Sequence, residues 1–182
     1  MPFNVQNIGG DIYVTYAPPG HPAQTTATAG EGAVAIFAAN GNFIKQLISG
    51  SELAAPWGIA LAPANFGPFS DDLLVGNFAY GNVNGVVNPV GGEINAYDPM
   101  TGAFDGTLDS NSAWQGLWAL TFGSGSASGG SADILYFTTG LGSETNGLFA
   151  ALSVVPEPSS LALLAAALAL FGVRRARSRC RV

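Results

Sequence analysis

Three aspartates pose the first chemical question. Asp11, Asp72 and Asp133 are separated by 61 and 61 residues, and each opens an apolar stretch: DIYVTY, DLLVGN and DILYFT. Carboxylates at equivalent places in successive repeats can converge on a metal ion, the arrangement a metal-dependent hydrolase needs. An acid in the turn entering a strand also satisfies backbone donors, and this structural role is the favoured reading. Asp98, Asp105 and Asp109 are weaker calcium candidates. His21 is the single histidine and sits in the loop PPGHPAQ, so it reads as a solvated loop residue and excludes a His-pair metal site. Gly-x-Ser-x-Gly, the phosphate-loop signature and His-Glu-x-x-His are all absent. The expectation is a non-catalytic chain without a cofactor, calcium aside.

The charge is divided unevenly along the 182 residues. Residues 1–154 carry eleven acids against the single base Lys45, a net of −10, while residues 155–182 carry five arginines against Glu157, a net of +4. An acidic body repels phosphate backbones, which argues against nucleic-acid binding. Cys180 is the only cysteine, so no internal disulfide or multi-cysteine metal site exists. It reads as an incidental residue of the basic tail, with a lipidated or reactive thiol as the alternative. The opening MPFNVQNIGGDIYV has neither the basic start nor the apolar run of an export signal.

The elements that would position these residues repeat along the chain. Trp57 and Trp118 are also 61 apart, as are Phe43 and Phe104, while Gly32 and Gly92 are 60 apart. One period held by several independent markers indicates a repeat architecture. The complete unit resolves into WGIALA, DLLVGNF, GEINAYD and GAFDGTL, four strand-like segments rich in β-branched and aromatic residues and bounded by turn formers. Asn40-Gly41, and Asp98-Pro99 with Gly102, join the third and fourth segments as tight hairpins. Four antiparallel strands per repeat describe a β-propeller blade.

The expected fold is therefore all-β: an incomplete propeller over residues 1–154, about two and a half four-stranded blades, starting at the second strand of its first unit. The stretches APPGHPAQTTATAGEG and AYGNVNGVVNPVGG, with PANFGPFS and GSGSASGGSA, are expected as surface excursions. Rings close with roughly four to eight blades. The chain is accordingly expected to be the C-terminal piece of a longer protein, which would also account for the absent export signal; assembly of several copies and an open stack of sheets are the alternatives. Trp57, Trp118, Phe43 and Phe104 are expected to pack between blades in preference to forming a carbohydrate-stacking row.

The tail has its own logic. Residues 161–173, LALLAAALALFGV, form an uncharged apolar run with no polar face, expected as a short transmembrane helix. Arg174, Arg175, Arg177 and Arg179 follow it, and arginines beyond an apolar helix hold that end on the cytoplasmic side. Val155, Pro156, Glu157 and Pro158 precede it, and prolines flanking Glu157 disfavour helix there and keep the segment readable by a peptidase.

This order of Val155-Pro156-Glu157-Pro158, apolar run and arginine cluster resembles the PEP-CTERM sorting signal. The resemblance implies an exosortase substrate of a Gram-negative bacterium that also makes exopolysaccharide, held in the inner membrane during sorting and then delivered to the cell surface or matrix. The body segments GAVAIFAANGNFIKQL, PWGIALAPANFGPFSDDLLVGNF, GEINAYDPMTGAFDGTL, GLWALTFG and LYFTTG together resemble the later blades of uncharacterised PEP-CTERM-bearing propeller-like proteins. That resemblance implies no activity. The expectation is an exported protein binding exopolysaccharide or surface proteins; the alternative is a metal-dependent, lactonase-like hydrolase whose remaining ligands lie in blades outside this sequence.

Overall fold

The computed structural model describes residues 1–108 and 114–154 of the chain. The apolar run at 161–173, the four residues of the sorting motif, the arginine cluster and Asp109 lie outside the described residues. Among the described residues, no helix is long and apolar enough to cross a membrane.

The described body is built from three antiparallel meander sheets. The first holds β1 (Pro2–Ile8), β2 (Asp11–Tyr16), β3 (Ala33–Phe37) and β4 (Phe43–Ser49), in that order. The second holds β5 (Pro56–Leu61), β6 (Leu73–Asn77), β9 (Ile94–Tyr97) and β10 (Phe104–Leu108), with the small hairpin of β7 (Asn82–Val83) and β8 (Val86–Val87) inserted between β6 and β9. The third holds β11 (Leu117–Phe122), β12 (Ile134–Leu141) and β13 (Asn146–Ser153). The four segments of the complete unit are thus strands β5, β6, β9 and β10. The all-β expectation holds; among the described residues no closed propeller ring is formed.

Two details correct the expectation. The chain does not begin at the second strand of a unit: β1 pairs along β2 and completes the first sheet, so the sheets carry four, four and three strands. PFNVQNI escapes a hydrophobic reading because Val5, Gln6 and Asn7 are exposed and supply no apolar periodicity. The excursions also carry local structure. His21–Thr25 forms a short helix, α1, and Asn84-Gly85 turns the β7–β8 hairpin with φ of 53° and 83°. Both values are positive, as a two-residue hairpin turn of this kind demands.

Two apolar layers hold the sheets together. Val34, Ile36, Leu47 and Ile48 of the first sheet pack on Ile59, Leu73, Val75 and Tyr97 of the second. On its opposite face the second sheet presents Leu74, Ile94 and Ala96 to Leu117, Leu120, Leu135 and Phe137 of the third. Burial of these side chains supplies the main driving force, about 1.5–3 kcal/mol for each large one. In both contacts the first strands lie side by side, β1 against β5 and β5 against β11.

The 60-spaced glycines have a packing explanation. Gly32 lies beneath Leu53 and Pro56, which lead into β5, and Gly92 beneath Trp114 and Gln115, which lead into β11. A side chain at either position would collide with the connection to the next sheet. Gly92 also has φ of 73°, where an L side chain is strained. Gly92→Ala is expected to lower stability by about 2–3 kcal/mol, read from urea midpoints; an unchanged midpoint would refute the close approach.

Tyr97 is fully buried between the first two sheets, and burial pushes its phenol pKa up to about 12. The unfolded phenol ionises near pH 10. Below that pH its contribution to stability is complete; from pH 10 to 12 the unfolded chain releases a proton that the folded chain keeps. Stability should therefore fall by about 1.4 kcal/mol per pH unit in this window. Tyr13 and Tyr80 are raised as well, both mainly by burial, and add to the slope. Denaturant titrations at successive pH values should show a shallower alkaline decline for Tyr97→Phe, and an identical decline would contradict the assignment.

Candidate functional site

Successive strands of a meander run in opposite directions, so the body has two distinct ends. One carries the β1–β2, β5–β6 and β11–β12 turns together with the β3–β4 and β9–β10 hairpins. The other carries the longer connections between second and third strands and the entries into β5 and β11.

The 61-spaced aspartates all lie at the first end. Asp11 opens β2, while Asp72 and Asp133 immediately precede β6 and β12. The sequence spacing therefore reports equivalent turns on three sheets. Asp133 accepts a hydrogen bond from the Ser131 hydroxyl. The backbone-satisfying role is seen most fully at Asp98, whose Oδ1 accepts from the Met100 and Thr101 amides at 2.9 and 2.6 Å and from the Thr101 hydroxyl at 2.8 Å. These bonds, led by those from Thr101, hold the Asp98 carboxyl below the usual range. Asp72 is raised, by burial first and then by the charges of Asp105, Asp98 and Asp71. Among the described residues, no three of His, Cys, Asp and Glu are placed to hold a metal ion.

Aromatic residues mark the opposite end. Each first strand bulges near its start, between Pro2 and Asn4, Pro56 and Ile59, and Leu117 and Leu120. Phe3, Trp57 and Trp118 occupy these bulges. Phe3 and Trp57 meet edge to face at 4.5 Å between centroids, Trp57 and Trp118 at 4.7 Å. Phe78 completes the cluster, 5.6 Å from Phe3 and 4.9 Å from Trp118. Trp57 and Trp118 thus pack between sheets as expected, but Phe43 and Phe104 do not. Each of these lies across from an aromatic of its own sheet, Phe37 and Tyr97, at 5.6 Å, and remains exposed.

His21 is exposed but not isolated. Its Nε2 lies 2.7 Å from Glu144 Oε2, across 123 residues of sequence, and its ring stands 5.7 Å from that of Phe78. The pair fastens the β2–β3 connection of the first sheet to the β12–β13 turn of the third. A cleft of about 620 Å³ beside it is lined by Trp118, Thr138, Glu144, Asn146, Leu148 and Phe149.

Sequence reasoning passed over the polar residue at the core of this end. Asn77, fully buried at the end of β6, accepts from the Ala54 amide at 2.9 Å and donates to the carbonyls of Glu52 and Val90 at 2.7 and 2.9 Å. Thr139 holds the corresponding place on β12, where its hydroxyl bonds both the amide and carbonyl of Gln115. In both sheets the residue ties down the connection that leads into the first strand. The signal available was an asparagine, poorly suited to strands, inside LLVGNF.

With this geometry the body is defined as a stack of β-meander sheets having an acidic turn end and an aromatic end. Residues 154–177 match the PEP-CTERM protein-sorting motif. Such a motif is recognised by exosortase and marks an exported chain sorted at a membrane. The chain is also similar to three proteins of Acanthamoeba polyphaga mimivirus. Uncharacterized protein R648 is 39% identical over 85 residues, which cover 46% of this chain and 21% of the relative. Uncharacterized protein R640 is 35% identical over 86 residues, 46% of this chain and 16% of the relative. Uncharacterized protein L690 is 33% identical over 85 residues, 46% of this chain and 23% of the relative. The chain thus spans about a fifth of the length of the relatives it matches. Each matched stretch is longer than one 61-residue unit.

Proposed function

We propose that this chain is a cell-surface or extracellular-matrix protein delivered by exosortase, with a propeller-type body in a non-catalytic binding or structural role. Residues 1–154 form the blades and residues 155–182 the sorting segment. The inner membrane holds the chain through residues 161–173 until exosortase reads Pro156-Glu157-Pro158, and the partners at the surface are exopolysaccharide or other surface proteins. The observation that carries this reading is the sorting motif at 154–177 on a chain whose body is a stack of meander sheets. Four-stranded antiparallel sheets with adjacent first strands are the building pattern of propeller blades, which supports the blade assignment.

The test is to produce the chain in an exosortase-positive Gram-negative host and in the same host lacking exosortase, then to fractionate both. The processed body is expected in the surface or medium fraction of the first and a longer, membrane-retained species in the second. Equal distribution in the two hosts would refute the reading.

A further inference from the structure

The sorting segment leaves the body at one particular end. Strand β13 runs antiparallel to β12 with Ser153 opposite Ile134, so it delivers the chain to the end that carries the β5–β6 and β11–β12 turns. Val154 follows at once, half-buried in the apolar layer between the second and third sheets that also holds Phe66, Phe69 and Leu152. Gly67, in the 3₁₀ turn Gly67–Phe69 of the β5–β6 connection, lies directly against it: a Cβ there would stand 2.7 Å from a Val154 methyl. The second and third sheets together hold Val154, so sheets added beside the first or the third would leave its place unchanged.

The matched sorting motif begins at this anchored residue, with Pro156 two positions further on and Pro158 four. A chain advances at most about 3.3–3.6 Å per residue, which keeps Pro156 within about 7 Å and Pro158 within about 14 Å of Val154 even at full extension. A folded enzyme is larger than that gap, since a unit of only 100 residues has a radius of gyration of about 13 Å. A peptidase that takes Pro156-Glu157-Pro158 into its own cleft must therefore lay part of its surface on the end of the body from which the motif leaves. Residue 161 lies within about 25 Å of Val154 by the same count, so this end also faces the bilayer. The surface offered there is polar, with Asn65 and Asp71 exposed on one turn and Ser131 and Asp133 on the other, which suits a small contact that ends in release.

We infer that this turn end, built by the β5–β6 and β11–β12 connections, is a contact surface for exosortase, which rests against the folded body while it reads the motif. The aromatic end, with α1 and the β7–β8 hairpin, is turned away from the membrane. This inference rests on the reading of the chain as an exosortase substrate and adds that the enzyme touches the folded body as well as the linear motif.

The test uses the full chain in the exosortase-positive host, with photoreactive benzoylphenylalanine in place of Asn65 or, at the opposite end, of Val86, both exposed. On irradiation, a covalent adduct with tagged exosortase is expected from position 65 and none from position 86. A second variant, Ile134→Cys with Ser153→Cys in a Cys180→Ser background, locks β13 to β12 at the pair nearest the junction. Its processing is expected to match that of each single-cysteine chain. Exosortase-dependent processing with no adduct from position 65, or with equal adducts from both positions, would overturn the inference. Loss of processing on locking would overturn it too, by showing that the enzyme needs β13 peeled from the body to gain a longer tether. Processing that does not depend on exosortase would overturn the underlying reading and this inference with it.

Discussion

Replacing Pro156, Glu157 and Pro158 together by alanine is expected to abolish surface delivery, with more than a tenfold loss of the processed species and accumulation of the longer form in membranes. The three residues lie within the matched sorting motif, between an acidic body and an apolar run followed by arginines. In the proposed reading the arginines set orientation, since cationic flanks remain on the cytoplasmic side. Removing the prolines also removes two residue types that disfavour helix. Orientation and anchoring should therefore survive while recognition is lost, which predicts retention instead of degradation in the cytoplasm. Glu157→Gln separates the components: it keeps both prolines and removes only the charge. Wild-type release by the triple variant would show that sorting reads some other feature of the tail. Replacing Arg174, Arg175, Arg177 and Arg179 by glutamine should disturb orientation before any cleavage step.

Asn77→Ala should be the most damaging single change in the body, lowering stability by about 4 kcal/mol. Truncation leaves the Ala54 amide and the Val90 carbonyl without a partner in a buried setting, and leaves the Glu52 carbonyl with the Asn95 side chain alone; each unsatisfied buried group costs about 1–3 kcal/mol. For a body of this size the loss corresponds to a fall in melting temperature of about 10 °C. Asn77→Asp tests the donors alone: the carboxylate can still accept from Ala54 but faces two carbonyl oxygens, so it should be at least as destabilising. Thr139→Val on the third sheet removes the matching bonds to Gln115 and should cost less, because those bonds are only partly buried whereas the bonds of Asn77 to Ala54 and Val90 are buried. A melting temperature unchanged by Asn77→Ala would mean that the two connections it joins hold their places without it.

The repeat was legible because it is written in residues that recur at equivalent turns, bulges and connections. Asp11, Asp72 and Asp133 stand at three equivalent turns, Trp57 and Trp118 in two equivalent bulges, and Gly32 and Gly92 under two equivalent connections. Sterics at such places admit few residue types, so spacing alone reveals them. The strand β1 was not legible, since its exposed Val5, Gln6 and Asn7 present no apolar periodicity and its bulge carries phenylalanine where the other two carry tryptophan.

Spacing determined position within a unit; it did not determine which side of a sheet meets a neighbour. Phe43 and Phe104 share the 61-residue period of Trp57 and Trp118, yet the first pair packs within sheets and the second between them. The contact of His21 with Glu144 joins connections of the first and third sheets and has no counterpart in the local sequence of either. The amino-acid sequence by itself therefore determined the repeat, the strand types and the sorting tail, because turn sterics, alternation and charge order act between near neighbours. Tertiary structure alone decided which faces meet and where the buried Asn77 finds its partners, because those depend on how sheets distant in sequence stack on one another.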